Sequence, residues 1–539
     1  MSEAGASTGA KPPSRRWRLD GLAIAVVAVS SALHLWDLGR RPLAHDEAID
    51  AWFSWQAHTT NLIEYDPTYH GPLRFYLEGF LLGNLGATPA WTRALAALAG
   101  IAATATIACQ RRLLGRSGAL IAAALFAISP TMLTVTRTGR EDSLTGLVSL
   151  GLLLVIAHAL LELRSRHIVG AAALLAVSFT LKETTFIVGF AGACFFAVLA
   201  IVAWRFRDGA SRRFFVALRR LGTAPWMWGT VVFVAITMVV FTAAFRYGEG
   251  FGSGLIDGIK YWLGQHDVGR GSQRWFFYTT VYVAYEWLVL LFGTIGMIVA
   301  FRRRSIVGGW WSTMAVVQFA VYSWAGEKFA WLAMHPLIPL VLIAGIGGQA
   351  IVERLRTSTT NALRAAAAAG GFILAALTLM IAVPPAITDG DDTRELLVTV
   401  QTQAAVPNLV DAMRAARSDG RLGRVLVDER DSGSWPWAWY LHGWDDVAWM
   451  TIDPTQPLPD GFDAIIVSAS TPPPAVPNGY TITRFPLRGW WLPDYDSASA
   501  ADVVRWFFTR RTWNDRASSD QFLIVRNDVG LTFKPGDVG

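Results

Sequence analysis

The sequence predicts an all-α polytopic membrane domain followed by a small α/β domain. Three observations carry that prediction. Of 539 residues, 53% are hydrophobic and only 16% are charged, against roughly 25% charged in soluble domains. Long apolar runs recur, separated by short charged turns. Past Pro384-Pro385 the chain turns polar and its apolar runs shorten to strand length. The 24 Trp suit helix ends placed at a membrane–water interface.

A helix needs about 20 mostly apolar residues to cross a bilayer. Such runs lie at 21–38, 90–108, 118–135, 144–163, 168–181, 184–204, 227–245, 280–301, 310–324, 332–351 and 365–383, which predicts about eleven spans. The run 73–85 is too short, and reads as a segment lying along the interface or entering partway. Residues 1–20 form a basic tail with Lys11, Arg15, Arg16 and Arg18. No small-residue cleavage site follows the first run, so it reads as an uncleaved span rather than a signal peptide.

Sidedness follows from the positive-inside rule. With the tail in the cytoplasm, alternate turns should be basic. They are: Arg111, Arg112 and Arg116; Arg164 and Arg166; Arg205 through Arg220; Arg302, Arg303 and Arg304; Arg354, Arg356 and Arg364. The other turns, 39–89, 136–143, 182–183, 246–279 and 325–330, are then external, as is the polar region. The net charge of +6 is explained by the cytoplasmic turns, so nucleic acid is not implied as a partner. Cys109 and Cys194 sit within or beside apolar runs and suggest no disulfide framework. The expected domains are a cytoplasmic tail (1–20), a multi-pass domain (21–386) and an extracytoplasmic α/β domain (387–539). The last has strand-like runs at 424–427, 447–452, 464–467 and 522–525, and a helical pattern over 393–417.

Most acidic residues of the membrane half fall on the outer side. His45-Asp46-Glu47 follows the first span, where a carboxylate could act as a general base or hold a metal. An ordinary helix start would also favour these acids. The same loop continues Glu64-Tyr65-Asp66-Pro67-Thr68-Tyr69-His70-Gly71-Pro72-Leu73-Arg74, with aromatic and hydrogen-bonding groups suited to a sugar or a phosphate. The next outer turn, Thr138-Gly139-Arg140-Glu141-Asp142, is so short that its charges lie at the membrane surface. Arginine there could grip phosphate oxygens, while the acids could simply cap the next helix. Lys182 and Glu183 sit at the membrane edge, where ionised groups are functional hypotheses by default. Glu327-Lys328 repeats the pattern before His335, which reads as a satisfied polar group. The aromatic run Trp435-Pro436-Trp437-Ala438-Trp439-Tyr440 is expected to pack the outer domain.

Together these motifs resemble the GT-C-fold membrane glycosyltransferases of the dolichyl-phosphate-mannose protein mannosyltransferase type, and most closely their flippase-activity-associated subgroup in prokaryotic surface glycosylation. The resemblance rests on Ala44-His45-Asp46-Glu47-Ala48, on 65–73, on 138–142, on Leu181-Lys182-Glu183-Thr184, on 326–331 with His335-Pro336-Leu337, and on the Trp-Pro-Trp run. It implies a hexosyltransferase-type enzyme using a polyprenyl-phosphate-linked sugar, with a glycan or protein acceptor at the outer face of the cell membrane. It implies Asp46 as base, with Glu47, Glu141 and Asp142 as further acidic site residues. Arg140, Lys182, Lys328 and Arg74 become candidates for the donor phosphate. His45, Tyr65, Asp66, Tyr69, His70, Glu183 and Glu327 become candidates for substrate contact. The two acidic loops could also share a divalent cation. The competing expectations are a flippase component that handles the same lipid without chemistry, and an assembly protein. Neither an internal repeat nor mid-span charge supports a transporter.

Overall fold

The computed structural model describes residues 20–60, 63–264, 271, 273–358, 360–472 and 475–535. The basic residues Lys11, Arg15, Arg16 and Arg18 lie outside them.

The helical half begins with α1 (Gly21–Leu35), then α2 (His45–Thr60), α3 (Leu73–Leu85), α4 (Pro89–Ala108), α5 (Arg111–Ile128), α6 (Pro130–Thr136), α7 (Glu141–Leu161), α8 (Ser165–Leu181) and α9 (Thr185–Arg205). It continues through α10 (Gly209–Arg220), α11 (Ala224–Phe241), α12 (Gly250–Gly264), α13 (Phe277–Tyr285), α14 (Trp287–Arg302), α15 (Ile306–Trp324), α16 (Met334–Ser358) and α17 (Asn361–Val383). Among the described residues, six helices are long and apolar enough to cross a membrane, or eight if each of two bent pairs counts as one span. The chain is a multi-pass membrane protein. The difference from eleven has a physical basis. α1 and α8 are apolar but short, and two apolar runs are broken rather than continuous.

Those breaks are built by the local sequence. Pro130 cannot continue α5, so α5 and α6 meet at a 61° bend. α13 and α14 meet at 102°, with Glu286 between them. The two breaks lie against each other, because the Ser129 hydroxyl and the Thr131 amide both donate to Glu286 Oε1 at 2.8 Å. Elsewhere small residues bring helices close: a Cβ on Gly296 of α14 would lie 2.0 Å from the Ile343 carbonyl of α16.

α2 and α3 pair with one another and neither qualifies as a span. They carry buried Asp50, Arg74 and Glu78. They stand beneath the sheet domain.

That domain comprises β1 (Gln401–Thr402), α18 (Ala405–Ser418), β2 (Val425–Asp428), α19 (Trp437–Tyr440), β3 (Val447–Met450), β4 (Ala464–Ser468), β5 (Tyr480–Trp490), α20 (Ala500–Thr509) and β6 (Ala517–Arg526). The sheet order is β1-β5-β6-β4-β2-β3. β2 runs parallel to β3 and β4, and the remaining pairs are antiparallel. The sequence pattern expects a helix from 393, yet α18 starts at Ala405. Leu396, Leu397 and Val398 are instead buried beside the helical half, and Glu395 accepts hydrogen bonds from Tyr285 and Arg510. Tertiary burial here overrides the helical spacing. Of the aromatic run, Trp437 and Trp439 are core residues, and Trp437 donates to Gln521. Leu43, Ala48 and Ala51 belong to the same core, so the sheet domain is seated on α2.

Candidate active site at the outer helix ends

The site starts at the first turn of α2. Consecutive helical residues point about 100° apart, so Asp46 and Glu47 cannot face the same way. Glu47 turns inward and is fully buried. Arg93 grips it with Nε and Nη2 at 2.8 and 2.9 Å. Arg41, the Ala44 amide and the Gly139 amide complete its shell at 3.1, 2.8 and 2.6 Å. Burial alone would raise the Glu47 pKa, but Arg93 and Arg41 outweigh it and hold the carboxyl well below its usual range. Glu47 thereby ties α2, α4 and the 138–140 turn together.

Asp46 turns outward. Its carboxylate meets Arg140 Nη1 at 2.5 Å and keeps 38% exposure, against 2% for Glu141 and none for Asp142. Arg140 lies at the mouth of α7, with its guanidinium 4.4 Å from the centre of the Trp331 ring. It reaches Glu141 at 3.3 Å and Asp142 at 3.5 Å. Behind them, Lys182 Nζ lies 2.5 Å from Glu141 and 2.7 Å from Asp142. His335 Nε2 lies 3.0 Å from Asp142. The acids at the start of α7 therefore bind Arg140 of their own turn, Lys182 of the 182–183 turn and His335 of α16, as well as favouring the helix terminus.

The 65–71 loop closes the third side. Glu183 bonds the Tyr65 hydroxyl at 2.7 Å and His70 Nδ1 at 2.8 Å, and His70 Nε2 stands 3.6 Å from Glu141. Burial and Lys182 work against protonation of His70, but Glu141 and Glu183 prevail and raise its pKa. Gly71 is required for this approach: a Cβ there would sit 2.1 Å from the Thr180 carbonyl oxygen.

The sheet domain reaches the same place. Arg488 Nη1 lies 2.7 Å from His45 Nδ1, and Arg488 Nη2 donates to the Asp431 carbonyl at 2.8 Å. Burial, with Arg488 and Arg140 nearby, outweighs Asp46 and holds the His45 pKa down at about 4. Neutral imidazole can accept the Arg488 proton, which assigns Nε2 as the protonated nitrogen.

The structure thus gathers His45, Asp46, Tyr65, His70, Arg140, Glu141, Asp142, Lys182 and Glu183 into one network. Other candidates are engaged elsewhere or, like Arg74, stand at the edge of this network. Asp66 is exposed and bonds its own loop at Thr68. Tyr69 packs on Phe53, with ring centres 4.5 Å apart. Arg74 is engaged by Asp50 at 2.8 Å, Glu78 at 2.5 Å and the Gly139 carbonyl at 2.6 Å. Lys328 donates to the Ala325 carbonyl in its own turn, and Glu327 beside it is half-buried. His335, read from the sequence as a satisfied polar group, is one, held against Asp142; Arg93 and Arg488 are the residues sequence reasoning missed. A charge inside the apolar run of α4 was a signal for Arg93; Arg488, some 440 positions from His45, left none. Among the described residues, no group of three or more His, Cys, Asp or Glu side chains is arranged to hold a metal ion.

Comparison with known proteins agrees with this architecture. Residues 69–243 match the family model of dolichyl-phosphate-mannose-protein mannosyltransferases. The matched stretch contains His70, Arg140, Glu141, Asp142, Lys182 and Glu183. No curated protein sequence matches the chain. Among solved structures, ArnT from Cupriavidus metallidurans bound to undecaprenyl phosphate aligns with TM-score 0.56 and 16% identity, over 80% of this chain and 86% of that one. The same protein in the apo state aligns with TM-score 0.51 and 18% identity, over 78% and 84%. The Archaeoglobus fulgidus oligosaccharyltransferase in its apo form aligns with TM-score 0.51 and 13% identity, over 81% of this chain and 64% of that one. The chain has the GT-C fold of membrane glycosyltransferases.

Proposed function

We propose that this protein is a glycosyltransferase of hexosyltransferase type. It moves a sugar from a polyprenyl-phosphate carrier to a glycan or protein acceptor at the outer membrane face. The observation that carries the reading is the contrast within the acidic network: Asp46 alone among its first-loop and α7 carboxylates combines substantial exposure with a direct arginine partner. An exposed carboxylate can reach a substrate proton, and a buried, fully paired one cannot.

In this reading Asp46 accepts the proton of an acceptor hydroxyl as the oxygen attacks the anomeric carbon. The new carbon–oxygen bond forms as the bond to the carrier phosphate breaks, and the phosphate departs with the electron pair. Arg140 stands beside Asp46, where it would offset the charge growing on that leaving group, with Lys182 behind it. Glu141 and Asp142 hold both cations in place. Glu47 holds the turn that presents Asp46. The match to the mannosyltransferase family model and the ArnT complex with undecaprenyl phosphate support a lipid-phosphate donor. The distribution of arginine supports a cytoplasmic N-terminus and an external sheet domain.

The test uses purified protein in lipid with a panel of radiolabelled polyprenyl-phosphate sugars and follows loss of sugar from the lipid. Turnover by the wild type should fall by about 10²–10⁴-fold in Asp46→Asn, with lipid binding retained. Tight binding without turnover in the presence of acceptors would replace this reading by a flippase-associated, non-catalytic role.

A further inference from the structure

A feature that runs from about one turn beyond Thr185 to the opposite end of the helical bundle takes no part in the chemistry proposed at Asp46. A cavity of about 600 Å³ opens between α7, α8, α9 and α11. It is a groove open to the surroundings rather than an enclosed void, since Gly189 and Trp226 on its wall are exposed. Its walls are almost wholly apolar, with Ile156, Ala171, Gly192, Phe196, Phe214 and Phe233 among them. Along α9 it extends from Val188 to Phe196, about 12 Å at helical rise. Small residues make the space. A Cβ on Gly189 would meet nothing within 4 Å, and one on Gly192 only Trp310 at 3.7 Å.

α10 closes the far end. Its Phe214, Phe215 and Leu218 face the cavity, while Arg212, Arg213, Arg219 and Arg220 are exposed. Leu163 joins the cavity to an adjoining open cleft of about 750 Å³ lined by Arg207, Arg212, Arg213 and Arg220. Among the described residues these arginines make no ion pair, whereas Arg112 and Arg303 at the same end each meet a glutamate. An apolar shaft of hydrocarbon length that ends in exposed guanidinium groups, with Asp208 at the start of α10 acting on Arg213, is complementary to a molecule with an acyl chain and an anionic head.

We propose that this is a binding site for an anionic phospholipid of the leaflet remote from the acidic network. An acyl chain fills the shaft beneath α10, and the phosphate meets Arg212, Arg213 and their neighbours. The chemistry is that of charge-assisted hydrogen bonds to phosphate oxygens combined with burial of methylene groups. Such a lipid would bridge α8, α9 and α11 through a surface that their own side chains leave open.

The experiment is native mass spectrometry of the full chain, with titrated dioleoyl phosphatidylglycerol compared with dioleoyl phosphatidylcholine. Wild type should retain one phosphatidylglycerol in preference. Arg212→Gln with Arg213→Gln should weaken that binding by roughly 5-fold per charge, about 25-fold together. Gly192→Leu should expel both lipids by filling the shaft. Melting temperature and elution volume verify that the variants fold. Equal retention of the two lipids, or binding that Gly192→Leu leaves intact, would overturn the proposal. So would displacement of phosphatidylglycerol by stoichiometric polyprenyl phosphate, which would assign the shaft to the donor's tail. None of these readouts depends on sugar transfer.

Discussion

The two ends of the helical bundle use charge in opposite ways. At the end beneath the sheet domain, acids and bases from α2, α7, the 65–71 loop and the 182–183 turn are packed together, most of them buried, and each is matched by a partner. At the far end, the α10 arginines are exposed and, among the described residues, make no close ion pair, although Asp208 at the start of α10 acts on Arg213. Burying a charge is costly unless it is paired and hydrogen-bonded. The end beneath the sheet domain therefore tolerates only a narrow set of sequences and holds its groups in fixed geometry, as a reaction site requires. The far end is built for a soft contact with water and lipid head groups, where position matters little. The same contrast appears between neighbours on α2: Glu47 is locked, while Asp46 is available.

The sharpest way to break the comparison is Glu47→Gln. It leaves Arg93 buried without its carboxylate, and should destabilise the protein by about 3–5 kcal/mol, read as a large drop in melting temperature. A loss below about 1 kcal/mol would mean that the end beneath the sheet domain is no more demanding than the far end. Asp46→Asn should instead cost activity and leave melting nearly unchanged.

A second, intermediate effect concerns pH. Burial pushes Asp50 up to about 7 and Glu78 up to about 8, against the pull of the one Arg74 they share. In the unfolded chain both titrate near 4. The folded state thus holds protons that the unfolded state has lost. Their contribution to stability is complete below about pH 4 and is lost as pH rises towards 8. Melting temperature should decline across that window, and Glu78→Gln should flatten the decline. An unchanged slope in that variant would show that the pair does not govern it. The smallest effect is expected from Arg219→Gln at the far end, within about 0.5 kcal/mol of wild type.

Much of this was legible in the sequence because its cause is local. Apolar runs, basic turns and short acidic loops predict most site residues on one side of the membrane. The strands near 425, 447, 464 and 522 announced themselves by apolar runs between polar turns. β5 did not, since its pattern is irregular and it pairs at both edges. The helix expected from 393 was lost to burial of Leu396 and Leu397. Arg74 and Lys328 became phosphate candidates through the family resemblance, and the structure shows their present partners: Asp50 and Glu78 for the one, its own turn for the other.

What the sequence by itself determined is the membrane class, the sidedness expectation and the set of groups able to do chemistry, because hydropathy and charge act residue by residue. What only the tertiary structure decided is which groups are free. Asp46 and Glu47 are adjacent acids of nearly equal intrinsic chemistry. Arg93, Gly139 and Arg140, brought in from distant segments, leave one buried and spent and the other exposed. Availability is a property of three-dimensional pairing, and pairing between segments this far apart in the chain is not written in any local pattern.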